Sequence, residues 1–117
     1  MSYPKLLTEE IEEGPHRFTA TILRAENAAF VLFNEKNRLL MGTLAVAMPQ
    51  FGGRGPCISS VLLGERNATI TKILAERLAA FFNQTVLVST HLKADFEREA
   101  VPILIRLLQK LIERIQI

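Results

Sequence analysis

The chain has one cysteine, one tyrosine, two histidines and no tryptophan. The single cysteine, Cys57, excludes a disulfide within the chain and favours a reducing compartment. No apolar run approaches the length of about 20 residues that a membrane-spanning helix needs. The acidic N-terminal segment lacks the basic start and the long apolar stretch of a secretory signal. These absences predict a cytoplasmic protein.

The charge balance also excludes some functions. The net charge is +2, and the basic residues are scattered along the chain without interleaved aromatic residues. This pattern is not typical of a protein that binds nucleic acid. The length of 117 residues fits one domain, and the apolar fraction of 49% is ordinary for a globular core.

The first 15 residues are expected to form a flexible or loosely docked arm. They contain the charged run TEEIEE, which ends at Gly14-Pro15. Residues 16–117 are expected to form a single α+β domain.

Hydrophobic periodicity predicts five strands in that domain. Apolar and polar residues alternate over the first of them, whereas the second is a continuous apolar run that we expect to be covered on both faces. The predicted strands span residues 16–24, 28–33, 39–48, 57–63 and 85–90.

Two amphipathic helices follow from the 3.6-residue spacing of apolar residues. The first spans 68–82, with Asn67 as the N-cap and Asn83 at the C-terminal end. The second spans 95–117, with its regular part beginning near residue 100 so that Pro102 lies in the first turn. Ile103, Leu107 and Ile117 lie outside its main apolar stripe, which fits either a broad core-facing surface or an oligomer contact.

The order of elements defines the fold class. Four consecutive strands predict an antiparallel meander, which a fifth strand extends and two helices cover. In the third strand, Leu44, Val46 and Met48 lie on one face, and small residues lie on the other. The small residues would allow a helix to approach the sheet closely.

No residue pattern indicates catalysis, a metal or a cofactor. His16 and His91 each lack a second ligand at metal-binding spacing. Cys57 and the neighbouring serines have no motif that would activate a nucleophile. The glycine-rich loop at residues 52–55 matches no phosphate-binding motif and leads into a strand rather than a helix. The sequence therefore predicts a protein that acts by binding.

Several phrases in a fixed order resemble the proteasome assembly chaperones 3 and 4. The resemblance covers residues 16 to about 115 and fits both types. It rests on HR at residues 16–17, MGTLAVAMP at 41–49, SSVLLGE at 59–65, TKILAERLAAF at 71–81 and TVLVST at 85–90.

This resemblance implies a non-enzymatic α+β protein that uses no cofactor. Such chaperones pair through their sheets, bind proteasome α-subunits and promote assembly of the α-ring. It implies as partners the α-subunits and either a second assembly chaperone or a second copy of the chain, with no nucleic acid and no membrane. In a eukaryote, a nuclear location is also expected.

Two candidate contact regions follow. The large apolar residues of the second and third strands are predicted to form the dimer interface: Phe30, Leu32, Leu44 and Val46. The loop between the third and fourth strands is predicted to contact the client, with an aromatic and a cationic side chain flanked by glycines: Phe51, Gly52, Gly53, Arg54 and Gly55.

Two other functions remain open from the sequence. A roadblock- or profilin-like dimeric adaptor, which would scaffold a GTPase or a trafficking complex, has the same kind of sheet and also lacks catalytic residues. An enzyme would need a partner chain to complete a site near His91 or Cys57.

Overall fold

One six-stranded sheet with two helices forms the fold in the computed structural model, which describes residues 3–50, 55–93 and 97–116. This confirms the predicted α+β class, with one more strand than predicted. In chain order the elements are β1 Lys5–Glu13, β2 His16–Arg24, β3 Ala28–Glu35, β4 Thr43–Met48, β5 Ile58–Leu63, α1 Ala68–Phe82, β6 Thr85–His91 and α2 Glu97–Gln116.

The strand order is β1-β2-β3-β6-β4-β5, which differs from the predicted four-stranded meander. Strand β6 lies between β3 and β4, parallel to β3 and antiparallel to β4. The connection at residues 36–42 is long enough to pass one strand position, about 5 Å per strand. Helix α1 carries the chain back across the sheet from the β5 edge. The four strands expected to form one continuous meander instead form two antiparallel hairpins, β2-β3 and β4-β5, and β6 lies between them.

The additional strand is β1, which occupies most of the segment expected to be a loose arm. It pairs with β2 over nine residue pairs, from Lys5↔Arg24 to Glu13↔His16. Successive side chains of a strand point to opposite faces of the sheet, so the charged residues of β1 are divided between the two faces. Glu9 and Glu13 lie on the face that α2 covers, where Arg114 and Arg106 bind their carboxylates.

The core lies between the helices and one face of the sheet. Helix α1 packs on β4 and β6, and α2 packs on β1 and β2. On β4, Thr43, Ala45 and Ala47 are buried, which confirms that small residues let a helix approach closely. The largest fully buried side chains are Phe18, Ile22, Val31, Phe33, Ile70, Leu74, Leu78, Val86, Val88, Leu104, Leu107 and Leu111.

Helix α2 is longer at its beginning than its periodicity indicates. It begins by Glu97, so that Pro102 lies inside the helix. Ile103 and Leu107, which lie outside the main stripe, are buried in this single chain. The broad core-facing surface is therefore the correct interpretation for these two residues, and an oligomer contact through them is wrong. Ile117 lies outside the described residues.

Candidate protein-interaction surface

The sheet face opposite the helices is not covered by any element of the described chain. We call it the open face. Side chains alternate across a sheet, so the neighbours of the buried residues in β3 and β4 point to this side. Phe30, Leu32, Leu44 and Val46 lie there and are half-buried. The expectation that both faces of β3 are covered is wrong for the single chain, although the four predicted residues do share one surface.

Strand β6 joins these residues into continuous rows. The register aligns Phe30 with Leu87 and Leu87 with Val46, so three large apolar side chains lie side by side across β3, β6 and β4. A parallel row aligns Leu32 with Ser89 and Ser89 with Leu44. Sequence reasoning missed Leu87, because its membership depends on the insertion of β6.

The apolar surface extends to the β5 edge. Ile58 pairs with Met48, and Leu63 pairs with Leu44 beside a register shift in the ladder. On the other side, Leu23 lies beside Phe30. Five large hydrophobic residues that the strand register places on this face are between 41% and 71% exposed: Leu6, Leu23, Met48, Ile58 and Leu63.

Apart from Leu6, which pairs with Leu23 near the start of β1, the β1 side of the open face is polar. The Arg17 Nε donates to the Glu10 carboxylate at 2.6 Å. Thr8 and Thr21 pair through their hydroxyl groups at 3.3 Å. The face therefore changes from polar at β1 to apolar at β5.

The segment before β4 hydrogen-bonds to two polar residues of this side of the sheet. The Leu40 N–H donates to Asn34 Oδ1 at 3.1 Å, and the Gly42 N–H donates to Ser89 Oγ at 2.9 Å. Asn34 and Ser89 are buried. Asn34 and Ser89 therefore add no unpaired polar group to the open face at this point. The half-buried neighbours Leu32 and Leu44 remain there as apolar surface.

The predicted client loop falls largely on residues that the structure does not describe: Phe51, Gly52, Gly53 and Arg54 lie outside the described ranges. Gly55 lies within them, with a positive φ of 83° that favours glycine. The assignment of this loop to client contact stays a prediction.

The two histidines and the cysteine considered as catalytic or metal-binding residues have the contacts of ordinary structural residues. His16 lies 3.1 Å from Glu99 and stacks on Phe18, and His91 is exposed at the end of β6. Cys57 is half-buried against the core. Within the described ranges, no group of three or more His, Cys, Asp or Glu residues could hold a metal ion. Neither described helix is long and apolar enough to cross a membrane.

An uncovered apolar sheet face on an α+β domain is typical of a protein that binds other proteins. The sequence model of the family described as proteasome assembly chaperone 4 matches residues 17–92. The chain belongs to this family, which confirms the resemblance noted from the sequence. Family and fold together support a role as a proteasome assembly chaperone and point to a non-catalytic assembly factor.

The fold is also found in a solved structure. A chain in the crystal structure of a novel chaperone complex for yeast 20S proteasome assembly matches with a TM-score of 0.72. The match covers 96% of this chain and 94% of that chain at 13% sequence identity. At this identity, the likeness shows the fold alone. Comparison with curated proteins finds no significant sequence match.

Proposed function

We propose that this protein binds α-subunits of the 20S proteasome and promotes assembly of the α-ring, and that it acts as a dimer. The observation that carries the dimer is the open face, on which large apolar side chains from β3, β6, β4 and β5 remain without cover. The family assignment supplies the client class. The client implies a cytoplasmic location, and also a nuclear one in a eukaryote.

The dimer partner is expected to present a similar sheet. Two sheets that pack face to face lie about 10 Å apart and interdigitate their side chains. The rows through Phe30, Leu87 and Val46 would form the centre of such an interface. The partner is a second copy of this chain or a second assembly chaperone of the same fold.

The client contact is proposed for the loop at residues 51–55. Arginine and aromatic residues are enriched among the side chains that dominate protein interfaces. Phe51 and Arg54 supply one of each, and Gly52, Gly53 and Gly55 flank them in the sequence. The open face and the loop would then serve two partners at once.

Co-expression with individual α-subunits tests the client assignment. A tagged chain is expected to co-purify with at least one α-subunit and to increase the yield of α-rings on native gels. The double substitution Phe51→Ala with Arg54→Ala should reduce the captured α-subunit about tenfold or more, because interface hot spots cost 2 kcal/mol or more each. Arg98→Ala, an exposed arginine on α2, is the matched control.

Two results would contradict the proposal. Capture of small GTPases without any α-subunit would indicate an adaptor instead. Capture of α-subunits that is unaffected by the double substitution would show that the loop is only a spacer.

A further inference from the structure

We propose that the cavity at the N-terminal end of α1 binds an acidic side chain from an extended segment of a partner protein. We call it the α1 cavity, and its volume is about 180 Å³. The residues that line it include Gly42, Gly64, Arg66, Asn67 and Thr90. The identity of the partner as a proteasome component rests on the proposed function, whereas the chemistry of the site does not.

Close backbone packing builds the cavity. A Cβ atom at Gly64 would lie 2.7 Å from Thr43 Oγ1, and a Cβ at Gly42 would overlap the carbonyl group of Thr90. The Thr43 hydroxyl donates to the Arg66 carbonyl oxygen. The start of β4, the end of β5 and the end of β6 are therefore held together around the beginning of α1.

Two deeply buried side chains at this cavity have unused hydrogen-bonding capacity. Asn67 is 4% exposed and Thr90 is 1% exposed. Among the described residues, neither Asn67 Oδ1 nor Thr90 Oγ1 has a hydrogen-bond partner. A buried polar atom without a partner is costly. Both atoms belong to residues that line one cavity, so a group bound there that pairs with them would relieve this cost.

The beginning of α1 adds unused donors. The backbone N–H groups of the first turn have no acceptor within the helix. Asn67 occupies the N-cap position predicted from the sequence, but its backbone is left-handed and its side chain makes no capping hydrogen bond. The first turn of α1 also contains no acidic residue. An incoming carboxylate would satisfy these donors and the positive end of the helix dipole.

Cations surround the site. Arg66, Arg38 and Lys93 line either the α1 cavity or a cavity of about 120 Å³ that shares Arg66, His91 and Leu92 with it. Within the described residues, none of these three cations makes an ion pair, whereas the α2 cations Arg106, Lys110 and Arg114 bind β1 glutamates. Glu35 and Glu65 are the carboxylates that line the two cavities.

The donor and acceptor pattern favours a peptide over a phosphate. Asn67 Oδ1 is an acceptor and needs a donor, while the helix N-terminus needs an acceptor. A peptide segment with Asp or Glu supplies both, through its backbone N–H and its carboxylate. The volume is below the range of about 300–1,000 Å³ of small-molecule sites, which suits one side chain rather than a cofactor.

Residue-resolved NMR titration of the full chain tests this inference. The probe is the capped peptide Ac-Ala-Glu-Glu-Ala-NH2, with Ac-Ala-Gln-Gln-Ala-NH2 and inorganic phosphate as separate arms. The acidic peptide is expected to produce saturable shifts in the amide signals of residues 66–70 and 90–92. The neutral peptide and phosphate are expected to bind at least about tenfold more weakly, the loss that 1.4 kcal/mol represents.

Two substitutions remove the unpartnered atoms with little disturbance. Asn67→Gly suits the positive φ of 61° at that position. Thr90→Val keeps the shape and removes the hydroxyl group. Each is expected to weaken acidic-peptide binding about tenfold while the melting temperature stays the same or rises, an outcome that a purely structural role would not give.

Asn83→Gly is the matched control, because Asn83 has a similar φ of 54° at the other end of the same helix. It should leave binding unchanged. The inference is overturned if the acidic peptide gives no saturable shift at these amides, if phosphate binds as tightly as the peptide, or if Asn83→Gly weakens binding as much as Asn67→Gly. The titration contains no proteasome subunit, so its failure is distinct from a failure to capture α-subunits.

Discussion

Gly42 lies so close to Thr90 that a Cβ atom at position 42 would be 2.8 Å from the Thr90 carbonyl carbon. Real Cβ atoms do not approach backbone atoms this closely, so β4 and β6 would have to separate. We therefore expect Gly42→Ala to lower the free energy of unfolding by about 3 kcal/mol, the upper range for overpacking. Urea denaturation monitored by circular dichroism measures this change.

Gly14→Ala provides the comparison for that prediction. Gly14 has a positive φ of 59°, but a Cβ atom at this position would have no neighbouring atom within 4 Å. Only backbone strain of about 1–2 kcal/mol is expected there. If the two substitutions cost the same, close approach of the backbones is not what requires glycine at position 42.

Leu107 is expected to contribute to monomer stability rather than to an oligomer contact. Its side chain is 0% exposed, so Leu107→Ala should cost about 2–5 kcal/mol from lost burial and the cavity that remains. Gln109→Ala is the control, since Gln109 is exposed on the same helix and truncation should change stability by less than about 0.5 kcal/mol. Thermal unfolding at several protein concentrations separates the two roles. A concentration-dependent loss for Leu107→Ala would contradict the core assignment.

The ion pairs between β1 and α2 predict loss of stability in acid. Burial alone would raise the pKa of Glu9, but hydrogen bonds from Arg114, the Glu10 backbone and Lys110 outweigh it and hold this pKa below its usual range. The hydrogen bond from Arg106 likewise lowers the pKa of Glu13. Both carboxylates bind fewer protons in the folded than in the unfolded state. Their contribution is therefore fully present above the unfolded pKa of about 4.3 and is lost as pH falls through the lower folded pKa.

Chemical denaturation between pH 7 and pH 3 measures this dependence. Glu9→Gln should flatten the decline in unfolding free energy below about pH 4.3. Glu113→Gln, an exposed position on α2 without an ion pair among the described residues, should leave the decline unchanged. Equal slopes for Glu9→Gln and the parent chain would show that the pairs with α2 do not stabilise the fold.

Seven of the eight elements could be predicted from local periodicity, but the position of β6 and the existence of β1 could not. The position of β6 depends on the path of α1 across the sheet, and no local pattern in TVLVST specifies its neighbours. The run TEEIEE indicates a solvated segment until α2 supplies the cations that neutralise alternate glutamates. Both are long-range effects, in which partners nearly 100 residues apart override local preference.

The candidate sites show the same division. Phe30, Leu32, Leu44 and Val46 could be placed on one surface because alternation within each strand is local. Leu87, which connects them, could not be found without the strand order. Gly42 and Gly64 belong to the motifs MGTLAVAMP and SSVLLGE, which are among the most distinctive in the sequence. Their structural role, however, depends on close contacts with β6 and β4 across the fold.

The open face predicts a dimer that one buried charge will disrupt. Light scattering of the parent chain, alone or purified with a partner chaperone, should give a two-chain complex, about twice the 13.1 kDa of one chain for two copies. Leu44→Glu should give single chains, because an unpaired carboxylate buried between sheets costs several kcal/mol. Thr8→Glu is the matched control, since Thr8 is exposed on β1, at the polar edge of the same face. If Leu44→Glu remains dimeric, or both substitutions dissociate the complex equally, the apolar rows of the open face are not the interface.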